Sequence, residues 1–389
     1  MINLIFDLNN IVHRSLFIVG GYGSKMYTFD SQTQIDQLVR KIAIDISYII
    51  RIINPARVIL AQDDSSWRKS IKIEENDGYK ANRVKSKMIN WDNVYDAIND
   101  FTQIVTDNNG MILTKISSAE ADDIITLWTD ELVNNQQQHV IIVSGDEDIR
   151  QLVKKYSIDN KTIFVTVFNP FMQGKNSSRK LYVPDGFEKW LNEVQQIDFI
   201  HPSIDIDKED FKKIILSEHT KVEVIDGEMI ALYKIFCGDD GDNVPSIFTW
   251  LNNKNVEVRI TNSKFEKIYE YLKTSLNKDK VKVEDIINNP EKVLEAIKLV
   301  TKQSPSFNIS KRIERQLKLV FLNTNIFPKE IIEEFNKLKY DSINKPRVSF
   351  SNVNMYSLLE GTKYVTNKKH ENESSIFKEI DEIRGKMLF

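Results

Sequence analysis

Three short apolar runs each deliver aspartate at their carboxyl end. INLIFD ends at Asp7, VILAQDD at Asp63 and Asp64, and VIIVSGDED at Asp146 and Asp148. Runs of this length, alternating with longer segments of helical period, specify buried strands joined by helices. In an open, mostly parallel sheet the carboxyl edges of the strands line a crevice. Three strands therefore bring acids to one edge. Any one of these acids taken singly also suits the cap of a following helix.

The segments between the runs fit that scheme. Ile42, Ile46, Ile49, Ile50 and Ile53 recur at helical spacing within 35–53, and Asn54-Pro55 ends the helix. Residues 57–61, 111–114 and 139–144 read as strands. Residues 91–105, 117–133 and 227–236 read as helices, and DIRQLVKKY is expected to continue as a helix. The 175–222 stretch has a weaker pattern and reads as an insertion or small subdomain. Beyond Asn252 the chain is mainly helical. The expected fold class is α/β: a mostly parallel central sheet flanked by helices, with a mainly helical C-terminal domain. Its parts are a catalytic domain over 1–245, a helical domain over 246–367, and a linker and tail over 368–389.

At 389 residues the chain exceeds one ordinary domain. One cysteine, Cys237, excludes a disulfide scaffold and a Cys-based zinc site, and suits a reducing cytoplasm. The N-terminus lacks the layout of a signal peptide, and no apolar run approaches the roughly 20 residues of a membrane helix. The net charge of −3, from 53 basic and 56 acidic residues, by itself argues against a nucleic-acid binder, so local charge has to decide.

Two more acidic groups join the strand ends. Glu120 and Asp123 lie three apart on one helix with Asp122 beside them, and Asp239 and Asp242 lie three apart in GDDGDN. That loop lacks the alternating acids and terminal Glu of an EF-hand. Clustered carboxylates repel unless cations or raised pKa values compensate them. All-oxygen ligands suit Mg²⁺, with Mn²⁺ as a substitute, and two such ions serve phosphodiester hydrolysis. Residues 67–91 then supply positive charge: Arg68, Lys69, Lys72, Lys80, Arg83, Lys85 and Lys87, with Tyr79 among them. They follow the strand ending at Asp63, so they hang over the acids. Basic side chains engage phosphates and an aromatic stacks on an unpaired base. A solvated charged face is the plainer alternative, and Glu74, Glu75 and Asp77 dilute the charge.

Together these residues resemble the flap-endonuclease-type 5′ nucleases, in particular their phage ribonuclease H branch. The similarity rests on Asp7, ILAQD at 59–63, GYKANR at 78–83, EADD at 120–123, SGDED at 144–148 and GDDGDNVPS at 238–246, in that order. It implies a PIN-like nuclease fold and a Mg²⁺-dependent 5′–3′ exonuclease, flap endonuclease and ribonuclease H. Such an enzyme acts on RNA primers, flaps and adjacent DNA in (phage) replication. It implies that Asp7, Asp63, Glu120, Asp123 and Asp146 surround one metal, with Asp122 beside them, and that Asp148, Asp239 and Asp242 serve the second. It assigns Tyr79, Lys80 and Arg83 to a basic arch over the scissile phosphate, with Asp63 and Asp146 as catalytic carboxylates. Arg68, Lys69, Lys72, Lys85 and Lys87 complete the nucleic-acid surface. SIFTWLNNKN after the second acidic pair lacks hairpin glycines, which favours a phage-type helical module for duplex DNA over a potassium-bound hairpin.

The alternatives are a PIN-type endoribonuclease, which usually lacks such a basic arch, and a non-catalytic branched-DNA binder, which would have lost carboxylates. The expected partners are DNA and RNA·DNA hybrids with a 5′ end or flap, and a single-stranded-DNA-binding protein; the chain is expected to be a monomer. The tail places Ile376, Phe377, Ile380 and Ile383 on one helical face. It reads either as a helix packed on its own domain or as a peptide that docks a sliding clamp.

Overall fold

The computed structural model describes residues 1–21, 28–75, 77–83, 86–171, 178–192, 206–216, 220–252, 254–305, 307–343, 358–359 and 364. Lys85 and the expected linker and tail at 368–389 lie outside the described residues.

The first strand, β1 (Ile2–Asp7), lies at the heart of the sheet, parallel to its neighbours on both sides. These are β2 (Arg57–Ala61) and β4 (His139–Val143), and β3 (Ile112–Thr114) adds on beyond β2. In register, Leu4 sits between Val58 and Ile141. The period of two sends Leu4 and Phe6 into one apolar cluster and Ile5 into another on the opposite face. Both faces are buried, which explains the unbroken apolar runs.

On the first face lie α1 (Leu8–Gly20), α2 (Gln32–Ile53) and α3 (Trp91–Asn109). Helix α2 is capped by Ser31 and ends on Asn54 in the left-handed region, φ 47°. Its buried stripe, Leu38, Ile42, Ile46, Ile50 and Ile53, covers the sheet. On the second face, α4 (Ala121–Asp130) packs Ile124, Ile125 and Trp128 against Ile5, Ile59 and Ile142.

Past β4 the structure departs from the sequence expectation. DIRQLVKKY is not a continuous helix. A 3₁₀ turn over Asp148–Leu152 leads into β5 (Lys154–Ile158), which pairs antiparallel with β6 (Lys161–Asn169). The polar edge strand is stabilised by the segment that follows it: Asp159 and Asn160, left-handed at φ 46° and 64°, turn it into a tight hairpin with 161–165, a signal carried by the turn and not by helical period. The 175–222 stretch contributes β7 (Arg179–Val183) and β8 (Thr220–Val224) to the same sheet, along with α5 (Phe187–Asn192) and α6 (Ile206–Leu216). The strand order is β3-β2-β1-β4-β6-β7-β8, with β5 also on β6.

Helix α7 (Gly227–Cys237) leads into the GDDGDNVP loop and a small hairpin of β9 (Thr249–Leu251) and β10 (Glu257–Arg259). Helices α8 (Asn262–Leu276), α9 (Val283–Asn288), α10 (Pro290–Thr301) and α11 (Ile309–Val320) then build a separate apolar cluster with α7. Helix α12 (Lys329–Ile343) instead returns to the sheet. Phe335 meets Trp128 edge-on at 5.2 Å, and Lys339 donates to Glu131 at 2.7 Å. Leu358, Leu359 and Tyr364 also pack on the first face. No helix among the described residues is long and apolar enough to cross a membrane.

Candidate active site

The carboxyl edge of the parallel strands gathers its acids as the sequence implies. Asp7 ends β1 and caps α1, accepting from the Asn10 N–H at 3.0 Å. The Ser144 hydroxyl donates to it at 2.8 Å. Burial, with Asp63 and Asp146 nearby, pushes its pKa up to about 7 despite those hydrogen bonds. Asp63, one residue past Gln62 at the end of β2, accepts from the Ala121 N–H at 2.5 Å and is raised by burial and by Glu120. Asp122 is raised well above its ordinary value by burial and by Asp146 and Asp7. Asp146 completes the group, donating its N–H to Ser144 and accepting from the Asp148 N–H at 2.9 Å.

The first turn of α4 sorts two neighbouring acids differently. Asp123 is fully buried, and its oxygens accept from Trp67 Nε1 at 3.1 Å, Arg68 Nη1 and Nη2 at 3.0 and 2.7 Å, and the Glu120 N–H at 3.1 Å. The structure thus keeps Asp123 behind the open cluster, although the family resemblance places it among metal ligands. Arg68, expected on the nucleic-acid surface, has 2% exposure and serves as the counter-ion of Asp123 and Glu120. Glu120 also accepts from Ser66 at 2.8 Å and from Lys80 Nζ. Burial opposes its charge, but Lys80 and Arg68 hold its pKa below the ordinary value.

The second acidic group lies on the loop after α7. Gly238 enters it at φ 77°, where a Cβ would come within 2.4 Å of the Val244 carbonyl oxygen. Only glycine fits there. Asp239 and Val244 exchange backbone hydrogen bonds, and Asp239 Oδ1 accepts from the Gly241 N–H at 2.8 Å. Lys234, one turn back on α7, places its ammonium between Asp148 and Asp239. Burial and Asp146 push Asp148 up to about 6 in spite of Lys234, whereas Asp239 stays below its ordinary value because Lys234 outweighs burial.

The 67–91 segment folds down onto the acids. After a 3₁₀ turn over Trp67–Ser70 it runs through turns to α3, and none of its described residues before Trp91 forms an α-helix. Tyr79 is 6% exposed; its hydroxyl donates to Glu120 and to Asp242 at 3.1 and 2.9 Å. Its ring, expected to stack on a base, is here buried in the apolar cluster of the helical module. Lys80, left-handed at φ 56°, donates its N–H to the Asp242 carbonyl at 2.8 Å and reaches Glu120 and Asp242 with Nζ. Arg83 pairs with Asp242. Lys69, Lys72 and Lys87 are exposed. Asp64 accepts from the Ser118 N–H at 3.0 Å in the turn before α4 and so caps no helix; Ser66 caps the 3₁₀ turn that follows.

Sequence reasoning missed Lys234, Ser66, Ser144 and Trp67. A lysine on an amphipathic helix carries no signal of the pair of acids it will meet, and a serine after a strand looks like any turn residue. Among the described residues no three acid, histidine or cysteine side chains stand ready as a ligand set. The physical reason is that Lys80, Arg83, Arg68 and Lys234 thread between the carboxylates. The donors nonetheless fit a hard divalent cation. They are all oxygen, nine carboxylates face four cations, and Asp7, Asp63, Asp122 and Asp148 carry pKa values raised by burial and crowding.

A sequence model of the family described as 5′-3′ exonuclease, N-terminal resolvase-like domain matches residues 3–187. No curated protein matches the chain by sequence. Among solved structures, the chain is similar to the bacteriophage T5 D15 flap endonuclease D155K, in a pseudo-enzyme-product complex with DNA and metal ions. The identity is 15%, the TM-score 0.50, and the match covers 89% of this chain and 100% of that one. It is likewise similar to the T5 5′-exonuclease with bound zinc, at 16% identity and TM-score 0.50 over 88% and 98%. These likenesses show the fold. Residues 3–187, which carry Asp7, Asp63 and Asp146, thus match the N-terminal domain of the 5′-3′ exonuclease family, and the chain shares the fold of the T5 flap endonuclease.

Proposed function

We propose that the protein is a Mg²⁺-dependent 5′–3′ exonuclease and flap endonuclease that also removes RNA from RNA·DNA hybrids, and that it processes primers and flaps during DNA replication. The observation that carries this reading is the excess of buried carboxylate at one sheet edge, capped by a basic segment that reaches the same acids. Asp7, Asp63, Glu120, Asp122 and Asp146 would hold one cation; Asp148, Asp239 and Asp242 would hold the other. A pair of cations supplies Lewis-acid activation of water and neutralises the leaving oxygen of a phosphodiester.

The chain's own residues do the rest. Arg68 and Asp123 fix the start of α4 and with it the aim of Glu120. Ser144 orients Asp7. Lys80 and Arg83, which neutralise Glu120 and Asp242 in the free protein, exchange those partners for the scissile phosphate and stabilise charge there. DNA as a ligand is supported by the T5 flap endonuclease complex, a protein of the same fold. The test is release of short products from a 5′-flap and from an RNA·DNA hybrid, with and without Mg²⁺. Products that persist in EDTA, or an absence of products with Mg²⁺, overturn the reading.

A further inference from the structure

The acids that dilute the basic segment have a partner in the helical module. Glu75 is gripped by two arginines of α11. Arg315 is bidentate, Nη1 to Oε2 at 2.6 Å and Nη2 to Oε1 at 3.2 Å, and Arg312 pairs with the same carboxylate. Arg312 is also braced over the Phe307 ring at 4.6 Å. The Nε of Arg315 is buried with no hydrogen-bond partner among the described residues. The adjacent Gln316 donates to the Pro245 carbonyl at 2.7 Å, so the pair sits on the helix that braces the Asp239–Asp242 loop.

Two guanidinium groups face the Glu75 carboxylate, Glu74 lies near enough to act on both charges, and the buried Arg315 Nε is left as an unused donor. The planar fork fits a carboxylate and a phosphate equally well. A phosphodiester strand, with charge on both sides of each contact, complements the pair in the same way. Glu75 is the ionic tie of its segment to α11, beside the apolar seating of Ile73 and Tyr79 in the helical cluster. A partly exposed ion pair adds little to stability.

We propose that Arg312 and Arg315 form a phosphate site for the double-stranded part of the substrate. Glu75 fills this site in the free protein as an internal competitor. While it does so, residues 71–83 stay docked and Lys80 and Arg83 stay on the acids. A duplex phosphate displaces Glu75 and frees the segment to meet the strand being cut. This inference rests on the nuclease reading above.

The test is a cycle of the full-length protein, E75Q, R312Q/R315Q and the triple variant. Binding of a flap duplex is measured in EDTA, and hydrogen exchange of residues 71–83 is measured with and without duplex. E75Q should tighten binding roughly three- to tenfold. R312Q/R315Q should weaken it and lower the salt slope by about 1–2. E75Q should have no effect in the Arg-less background. Exchange in 71–83 should rise in free E75Q, and in the parent when duplex is added. Equal tightening by E75Q in both backgrounds would mean simple loss of negative charge and would sink the inference. So would duplex binding with unchanged exchange. Should the parent bind no duplex while E75Q still loosens 71–83, the nuclease reading fails and the phosphate site with it.

Discussion

The sheet edge and the α7 loop both present carboxylates, but they balance them differently. At the loop, Asp239 is paired with Lys234 and its pKa falls below the ordinary value. At the edge, Asp7 is buried and Asp122 half-buried among other acids, and their pKa values rise. The contrast recurs within one turn of helix, where Asp123 is satisfied by Arg68 and Trp67 while Asp122 faces Asp146. A carboxylate with its own buried counter-ion contributes to folding. One crowded by like charges costs stability, and that cost is retained where an external cation is to be bound.

The largest effect expected from breaking this contrast is at the edge itself. Asp146→Asn should slow single-turnover cleavage of a 5′-flap by about 10³-fold or more while leaving binding largely intact. Near-parent turnover at saturating Mg²⁺ would remove Asp146 from the site. The opposite side of the comparison is tested by Arg68→Met, which leaves Asp123 buried and unpaired. We expect a loss of about 3–5 kcal/mol in denaturant unfolding, the scale for breaking a buried pair. A variant as stable as the parent would mean that Asp123 does not depend on Arg68.

Lys80→Ala and Arg83→Ala should each slow cleavage by roughly 10²-fold, with little change in melting temperature. Parent rates from both under single-turnover conditions would show that the segment only covers the acids. The effect that is smallest within any one pH unit is a pH dependence of the metal-free protein. Asp7 titrates at about 7 folded against 3.8 unfolded, so between those values the folded state holds a proton that the unfolded chain has lost. Stability should therefore fall as pH rises from about 4 to about 7, by up to roughly 1.4 kcal/mol per unit for one such group, and level off above. Glu120 and Asp239, whose values are lowered, act in the opposite sense only below about 4.5. Asp7→Asn should flatten the slope and Mg²⁺ should reverse it; an unchanged slope in the variant would place the effect elsewhere.

Much of this arrangement is legible in the sequence because it is local. The strands at 2–7, 57–61 and 139–143 follow from continuous apolar runs, and each run names the acid at its end. Helix α2 follows from its isoleucine stripe and its Ser31 and Asn54 caps. The DIRQLVKKY segment misleads because its fate depends on residues after it: the Asp159-Asn160 turn folds it back as a hairpin on β6. Likewise α12 returns to Trp128 across about two hundred residues, a docking that composition does not encode.

By itself, then, the sequence determined which carboxylates reach the carboxyl edge. The period of two and the end of a buried strand dictate where a side chain emerges. Only the tertiary structure decided which of them keep a charge to spare. That depends on Arg68, Lys80 and Lys234 arriving from distant segments, and on burial that strengthens each pairing and each repulsion.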